Sequence, residues 1–253
     1  MTPRSTARTT LGWTQPSGGS TPRTAMTVPA PTIHTMIVCV PVEVPGLMFD
    51  QRTLEHQFGV HGVTVVRFWA KPCQPLRRRQ LIDPRKGKPT PCAGGSLRML
   101  DMAALRRAYR TAAAQRYQTF TTVVRGTRDA RPWAHYLGRH LSEPDYRMTR
   151  AESDYRNQPR VLALRAHNAV ADAHAGAQLD ERELEMFQAG PAAYGNYHHL
   201  LAMAADALLT PERHRLCPVS DRFADRLTYL QQANRYLDTT NEHTRIVAVQ
   251  LTE

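Results

Sequence analysis

The stretch Ile33-His34-Thr35-Met36-Ile37-Val38-Cys39-Val40 sets the reading of the fold. From Met36 to Val40 every side chain is apolar, and Ile37, Val38 and Val40 are β-branched. A short continuous run of this kind is the pattern of a strand covered on both faces. The strand is predicted to run from Ile33 to about Val44, where Pro45-Gly46 stops it. A near copy closes the chain as His243-Thr244-Arg245-Ile246-Val247-Ala248-Val249. Residues Arg245 to Leu251 are therefore predicted as a strand able to return to the sheet that Ile33 begins.

Outward from this pair the elements alternate. A short helix is predicted from Asp50, as its N-cap, to about Phe58. A second strand, Val63 to Ala70, carries apolar side chains on both faces and reads as the middle of a sheet. Residues 71–98 hold five prolines and three glycines, so a long loop is expected there. Gly94-Gly95-Ser96 then leads into a helix over about Leu97 to Tyr117, with Met102, Leu105, Tyr109 and Ala112 as its buried stripe. Phe120-Thr121-Thr122-Val123-Val124 predicts a third strand over Gln118 to Arg125. From Pro132 onward the pattern is helical almost to the end.

The expected class is α+β. A small mixed sheet of three N-terminal strands, which the C-terminal strand can join, packs with a large helical C-terminal part. Residues 1–32 read as a disordered N-terminal tail, 33–131 as a basic α/β portion with the long loop 71–98, and 132–253 as a mainly helical portion ending in a strand. If that strand returns to the sheet, the two portions form one domain.

Charge is the second decisive feature. The 253-residue chain has a formal net charge of +11. Between Lys71 and Arg131 lie 15 of its 33 Lys/Arg residues and only three of its 22 acids, Asp83, Asp101 and Asp129. The rest of the chain is balanced. Of the cationic residues all but three are arginine, which fits a GC-rich coding sequence, but codon bias spreads arginine evenly and does not cluster it. A polyanionic partner is expected, with nucleic acid first and an acidic protein second. Arg77, Arg78, Arg79, Arg85, Lys86 and Lys88 are the expected loop contacts, and Arg106, Arg107 and Arg110 the expected helix contacts. The Gly94-Gly95-Ser96 turn is expected to offer backbone N–H groups to a phosphate. Tyr109, Tyr117, Phe120 and Trp133 are candidates for stacking on bases.

The function expected from this is non-enzymatic nucleic-acid binding, DNA or RNA, in the cytoplasm. No apolar run is long enough to span a bilayer. No cofactor or metal site is expected. Cys39, Cys73, Cys92 and Cys217 form no CxxC pair, and Cys39 and Cys217 read as buried thiols. One alternative is a nuclease or phosphoesterase with His34 and His243 as acid and base. The histidine-threonine pairs at the mouths of the two strands resemble the His-x-Thr/Ser motifs of two-histidine phosphoesterases. Here the two residues are adjacent, which sends them to opposite faces of a strand. Arg160 and His167 are similar in spacing to the Arg-x6-His of some helical ribonucleases. The other alternative is a structural or assembly protein of a virion or of plasmid maintenance.

Overall fold

The computed structural model of the protein describes residues 32–41, 51–72, 80–171 and 178–252. Apart from Thr32, the tail predicted for residues 1–32 lies outside them. So do Asp50, Cys73 and the Arg77-Arg78-Arg79 cluster.

The two sequences that resemble each other lie side by side. β1 (Thr35–Val40) pairs antiparallel with β8 (Arg245–Leu251), with Ile37 opposite Ala248 and Val38 opposite Val247. The fold is thus α+β, and its last strand completes the sheet that its first begins. The order is β2-β8-β1-β6-β7, with β2 (Gly62–Thr64), β6 (Ala207–Leu209) and β7 (Arg215–Leu216). β6 runs parallel to β1. β5 (Gly94–Ser96) shares one edge of β8 with β2, the two covering successive stretches of that strand.

Alternation explains why the run from Met36 to Val40 is apolar throughout. Ile37, Cys39, Ile246 and Ala248 enter the larger core, beneath the helices. Met36, Val38, Val40, Val247 and Val249 enter a second core with Leu54, Phe58 and Val60. Each Val, Ile, Leu, Met or Phe side chain among them, once buried, contributes about 1.5–3 kcal/mol. Burial, with a smaller push from Glu212, raises the Cys39 thiol to about 12. Leu54 and Phe58 belong to a π-helical turn, Leu54–Phe58, that continues α1 (Gln51–Thr53) and covers this face.

Two of the predicted strands turn out otherwise. Val63 to Ala70 is not one central strand. It splits into β2, on the edge of β8, and β3 (Phe68–Ala70), which forms a separate hairpin with β4 (Thr90–Cys92). Between them Arg67 turns inward, where its Nη2 donates to the Leu201 carbonyl at 2.7 Å and its guanidinium lies 5.4 Å from the Tyr109 ring centre. Val63 and Val66, expected to be covered, are exposed.

The third predicted strand, Gln118 to Arg125, is helical almost throughout. α2 (Met102–Val123) continues through it, and Leu105, Ala113, Phe120 and Val124 form the buried stripe, while Ala112 faces solvent. The β-branched residues are tolerated because Thr121 and Thr122 point outward and donate back to the Gln118 carbonyl at 2.8 and 3.1 Å. Tertiary packing at helical spacing overrides the local β propensity.

The remaining helices are α3 (Trp133–Ser142), α4 (Met148–Arg156), α5 (Pro159–Val170), α6 (Leu184–Gln188), α7 (Pro191–Ala204) and α8 (Phe223–Thr239). α2 packs along α7, and Phe187 stacks on both Phe120 and Tyr194 with ring centres 4.4 and 4.3 Å apart. The strands β6 and β7 interrupt a portion read as helical. Cys217, expected to be buried, is exposed. Among the described residues no helix is long and apolar enough to cross a membrane.

Candidate nucleic-acid interface

The described residues of the segment 71–131 run from the β3–β4 hairpin through β5, on the edge of β8, and then along α2. Lys71 follows β3, and its Nζ donates to the Arg98 carbonyl at 3.0 Å, tying the hairpin to the lead-in of α2. The hairpin loop carries Arg85, Lys86 and Lys88, all exposed. Arg107 and Arg110 are exposed on α2, and Arg125 and Arg128 follow in the turn after it.

Most of these cations are unpaired. Among the described residues Lys86, Lys88, Arg98, Arg107, Arg110, Arg125 and Arg128 make no ion pair with a carboxylate. Elsewhere the picture is mixed: Arg139 pairs with Glu143, Arg150 with Asp154, Arg156 with Glu152, Arg165 with Glu181 and Arg226 with Asp221, while Arg147, Arg213, Arg215, Arg222 and Arg235 are exposed and make no ion pair among the described residues. The three acids of the segment itself are all engaged. Asp83 pairs with Arg85, Asp101 caps α2 by accepting from the Ala104 N–H at 2.9 Å, and Asp129 pairs with Arg160. Within the described part of the segment those seven exposed cations have no acid left to compensate them, whereas Arg85, Arg106 and Arg116 do.

Two expected contacts change role. Arg106 is turned into the junction of α2 and α8, where its Nη2 donates to Asn234 Oδ1 at 2.9 Å and to Asp238 Oδ1 at 3.2 Å. It helps to hold the helix that presents Arg107 and Arg110, and is withdrawn from the outer surface. Gly94-Gly95-Ser96 is a buried strand, followed by a short 3-10 turn, Leu97–Met99, before α2 begins. Its backbone is committed to β8, and Ser96 Oγ donates to the Glu242 carbonyl at 2.8 Å. The N-terminus of α2 is already occupied by the Asp101 carboxylate, so an anion finds no site there.

The aromatic candidates for base stacking are partly spent. Phe120 is in the core, Tyr117 packs against Phe120, Phe187 and Tyr194, and Trp133 packs edge-on against Tyr155. His34 and His243 are exposed at opposite ends of the β1–β8 pair. The His34 carbonyl accepts from the Leu251 N–H at 2.9 Å, and His243 lies eight residues earlier, roughly 26 Å away at ~3.3 Å per residue. They share no cleft, so an acid–base pair made of these two fails on reach. Arg160 is committed to Thr127, Asp129 and Gln188, which leaves it no substrate-facing role.

Residue spacing alone does not reveal a polar cluster behind α2. The Tyr194 hydroxyl donates to Glu183 Oε2 at 2.7 Å, Arg116 Nη1 lies 3.9 Å from the same oxygen, and His198 Nε2 is 3.8 Å from Oε1. His198 is buried against the Tyr194 and Tyr197 rings, and its Nε2 has no hydrogen-bond partner among the described residues. Burial and, secondarily, the Arg116 charge push His198 down to about 4, so it is a neutral imidazole near pH 7. Burial pushes Glu183 up, against the Tyr194 hydroxyl and Arg116. Burial also depresses His199, with Arg106 and Arg110 adding to it, which registers the positive field at this end of α2.

The depressed His198 has a thermodynamic consequence. The folded state binds its proton less well than the unfolded state, so its contribution is full above pH 6.5 and is lost as pH falls toward 4. Glu183, raised by burial, acts with the opposite sign. Urea unfolding of wild type and of His198→Gln between pH 4 and pH 7 separates the two. The loss of stability over this interval is expected to be smaller by about 2–3 kcal/mol in the variant. Equal pH dependence in both proteins rules out the buried neutral imidazole.

Comparison with protein-family models, curated proteins and solved structures finds no match to this chain.

Proposed function

We propose that this protein binds nucleic acid through exposed cations of the 83–90 loop and of α2, without chemistry of its own on the strand. Lys86, Lys88, Arg107 and Arg110 form the part of this surface that the described residues carry, with Arg85 beside them. Arg77, Arg78 and Arg79, read from sequence, extend it. The observation that supports the reading is the segregation of charge. Of the 33 Lys/Arg residues 15 lie between Lys71 and Arg131 with only three of the 22 acids. Among the described residues Lys86, Lys88, Arg98, Arg107, Arg110, Arg125 and Arg128 of that segment are exposed with no carboxylate partner. Exposed arginine forks match phosphate oxygens well, and releasing condensed counterions drives such binding.

The test is fluorescence anisotropy with labelled oligonucleotides over a series of salt concentrations. Affinity is expected to fall steeply with salt. The variant Lys86/Lys88/Arg107/Arg110→Ala is expected to flatten the slope of log K against log salt by about three to four, at ~0.9 for each phosphate no longer neutralised. Absence of binding at low salt sinks the proposal. So does a variant whose slope equals that of wild type.

A further inference from the structure

The outer surface of α2 carries more than charge. At about 100° per residue, Arg107, Thr111, Ala114, Gln118 and Thr121 fall on one line, and all five are exposed. Cations stand at both ends of this ridge, Arg107 and Arg110 at one and Arg125 and Arg128 just beyond the other. Its middle is neutral. Arg116, the one charged residue between, is on the opposite side of the helix facing Glu183. From Arg107 to Arg125 the span is about 27 Å at ~1.5 Å per residue.

The far end is held in place by an unusual set of side-chain hydrogen bonds. Gln188 Oε1 accepts the Ala130 N–H at 2.7 Å while its Nε2 donates to the Ala130 carbonyl at 2.9 Å. Gln158 does the same for Arg131, at 2.7 and 3.1 Å. Arg160 adds a bond to the Thr127 carbonyl at 3.0 Å. A turn with no regular structure is thus fixed as firmly as a strand edge, and it bears Arg125 and Arg128 on its outside.

We propose that this ridge lies in the major groove of double-stranded DNA, with its neutral middle on base edges and its two ends on phosphates. This rests on the nucleic-acid reading above and adds strand form and groove to it. The major groove of B-DNA admits an α-helix, but it winds around the duplex while the helix runs straight. A rod of this length therefore stays in the groove only at its middle and meets the phosphate walls at its ends. The ridge carries that distribution. The Gln118 amide suits adenine, and the methyl groups of Thr111, Ala114 and Thr121 suit thymine. The major groove of A-form RNA is too deep and narrow for a helix, and a single strand has no groove.

The experiment uses the full chain with DNA duplexes two helical turns long, RNA duplexes of matched sequence and the single DNA strands. A preferred DNA sequence is first selected from a randomised duplex pool. DNA duplex is expected to bind about tenfold or more tighter than the other two. Arg107/Arg110→Ala and Arg125/Arg128→Ala are each expected to lower the salt slope by about two. Gln118→Ala is expected to leave the slope unchanged and to erase the preference at one selected position. Circular dichroism of each variant guards against misfolding, and all five positions are exposed. Equal affinity for RNA duplex or single strand overturns groove docking while the broader reading stands. So does a selected pool without base preference, or a slope that depends on one end of the ridge only. Failure to bind any of the three overturns both.

Discussion

Gly94→Ala is expected to destabilise the protein by about 3 kcal/mol or more, an overpacking effect at the upper end of its usual range. A Cβ at this position would stand 2.0 Å from the Ile246 carbonyl oxygen and 2.8 Å from the Val247 Cα. These are backbone atoms of the central strand, so no side chain can swing aside. β5 must then leave β8 and give up its ladder bonds, together with that from the Ile82 N–H to the Gly94 carbonyl at 2.9 Å. At 2–4 °C per kcal/mol, the thermal midpoint is expected to fall by roughly 6–12 °C. Gly138→Ala is the control, since Gly138 is exposed on α3 with nothing within 4 Å, and alanine there gains up to ~1 kcal/mol. Thermal unfolding followed by circular dichroism compares the two. If Gly94→Ala melts with wild type and instead loses phosphate binding, the glycines act as an anion loop and the strand is misplaced.

That contrast also shows what the sequence could and could not disclose. A pair of glycines before a helix has two physical meanings, a turn open to an anion or a backbone too close to another for a Cβ. Only the position of β8, about 150 residues further along, decides between them. β1 and β8 were legible because a strand covered on both faces writes its burial into a continuous apolar run. The segment from Gln118 to Val124 was misleading for the opposite reason. Its β-branched residues signal a strand, and the helical spacing of Ala113, Tyr117, Phe120 and Val124 emerges only once the partner surface of α7 is in place. The basic character of 71–131 was plain from counting. Which arginines remain open depends on where the carboxylates fall: Arg106 and Arg107 are neighbours, yet Asp238 and Asn234 take the first and leave the second. Gln158 and Gln188, which fix the turn after α2, gave no sequence signal at all. Their partners lie 27 and 58 residues away, and an isolated glutamine has no periodicity to betray it.

Arg160→Ala is expected to release that same turn. The Arg160 side chain is 12% exposed, and its guanidinium donates to Thr127 Oγ1 at 3.1 Å, to the Thr127 carbonyl at 3.0 Å and to Gln188 Oε1 at 3.2 Å. Its partner Asp129 is 79% exposed, so the carboxylate regains water when the arginine is removed. The cost is therefore below the ~3–5 kcal/mol of a fully buried broken pair and comes mainly from the unsatisfied Thr127 carbonyl and the gap beside Phe120. About 2–3 kcal/mol is the expected loss. Lysine keeps the charge but not the planar fork, so Arg160→Lys is expected to recover less than half of it. Trypsin reads the local effect. Arg125 and Arg128 have exposed side chains, yet cleavage after them requires the pinned backbone to open. If opening becomes easier by ~2 kcal/mol, cleavage after Arg128 accelerates about 30-fold in Arg160→Ala. The salt slope for nucleic acid then falls toward that of Arg125/Arg128→Ala, because two correctly spaced cations have become two mobile ones. Unchanged cleavage together with an unchanged melting temperature shows that the glutamines alone hold the turn. Faster cleavage with an undiminished salt slope shows instead that the far end of α2 does not meet phosphate.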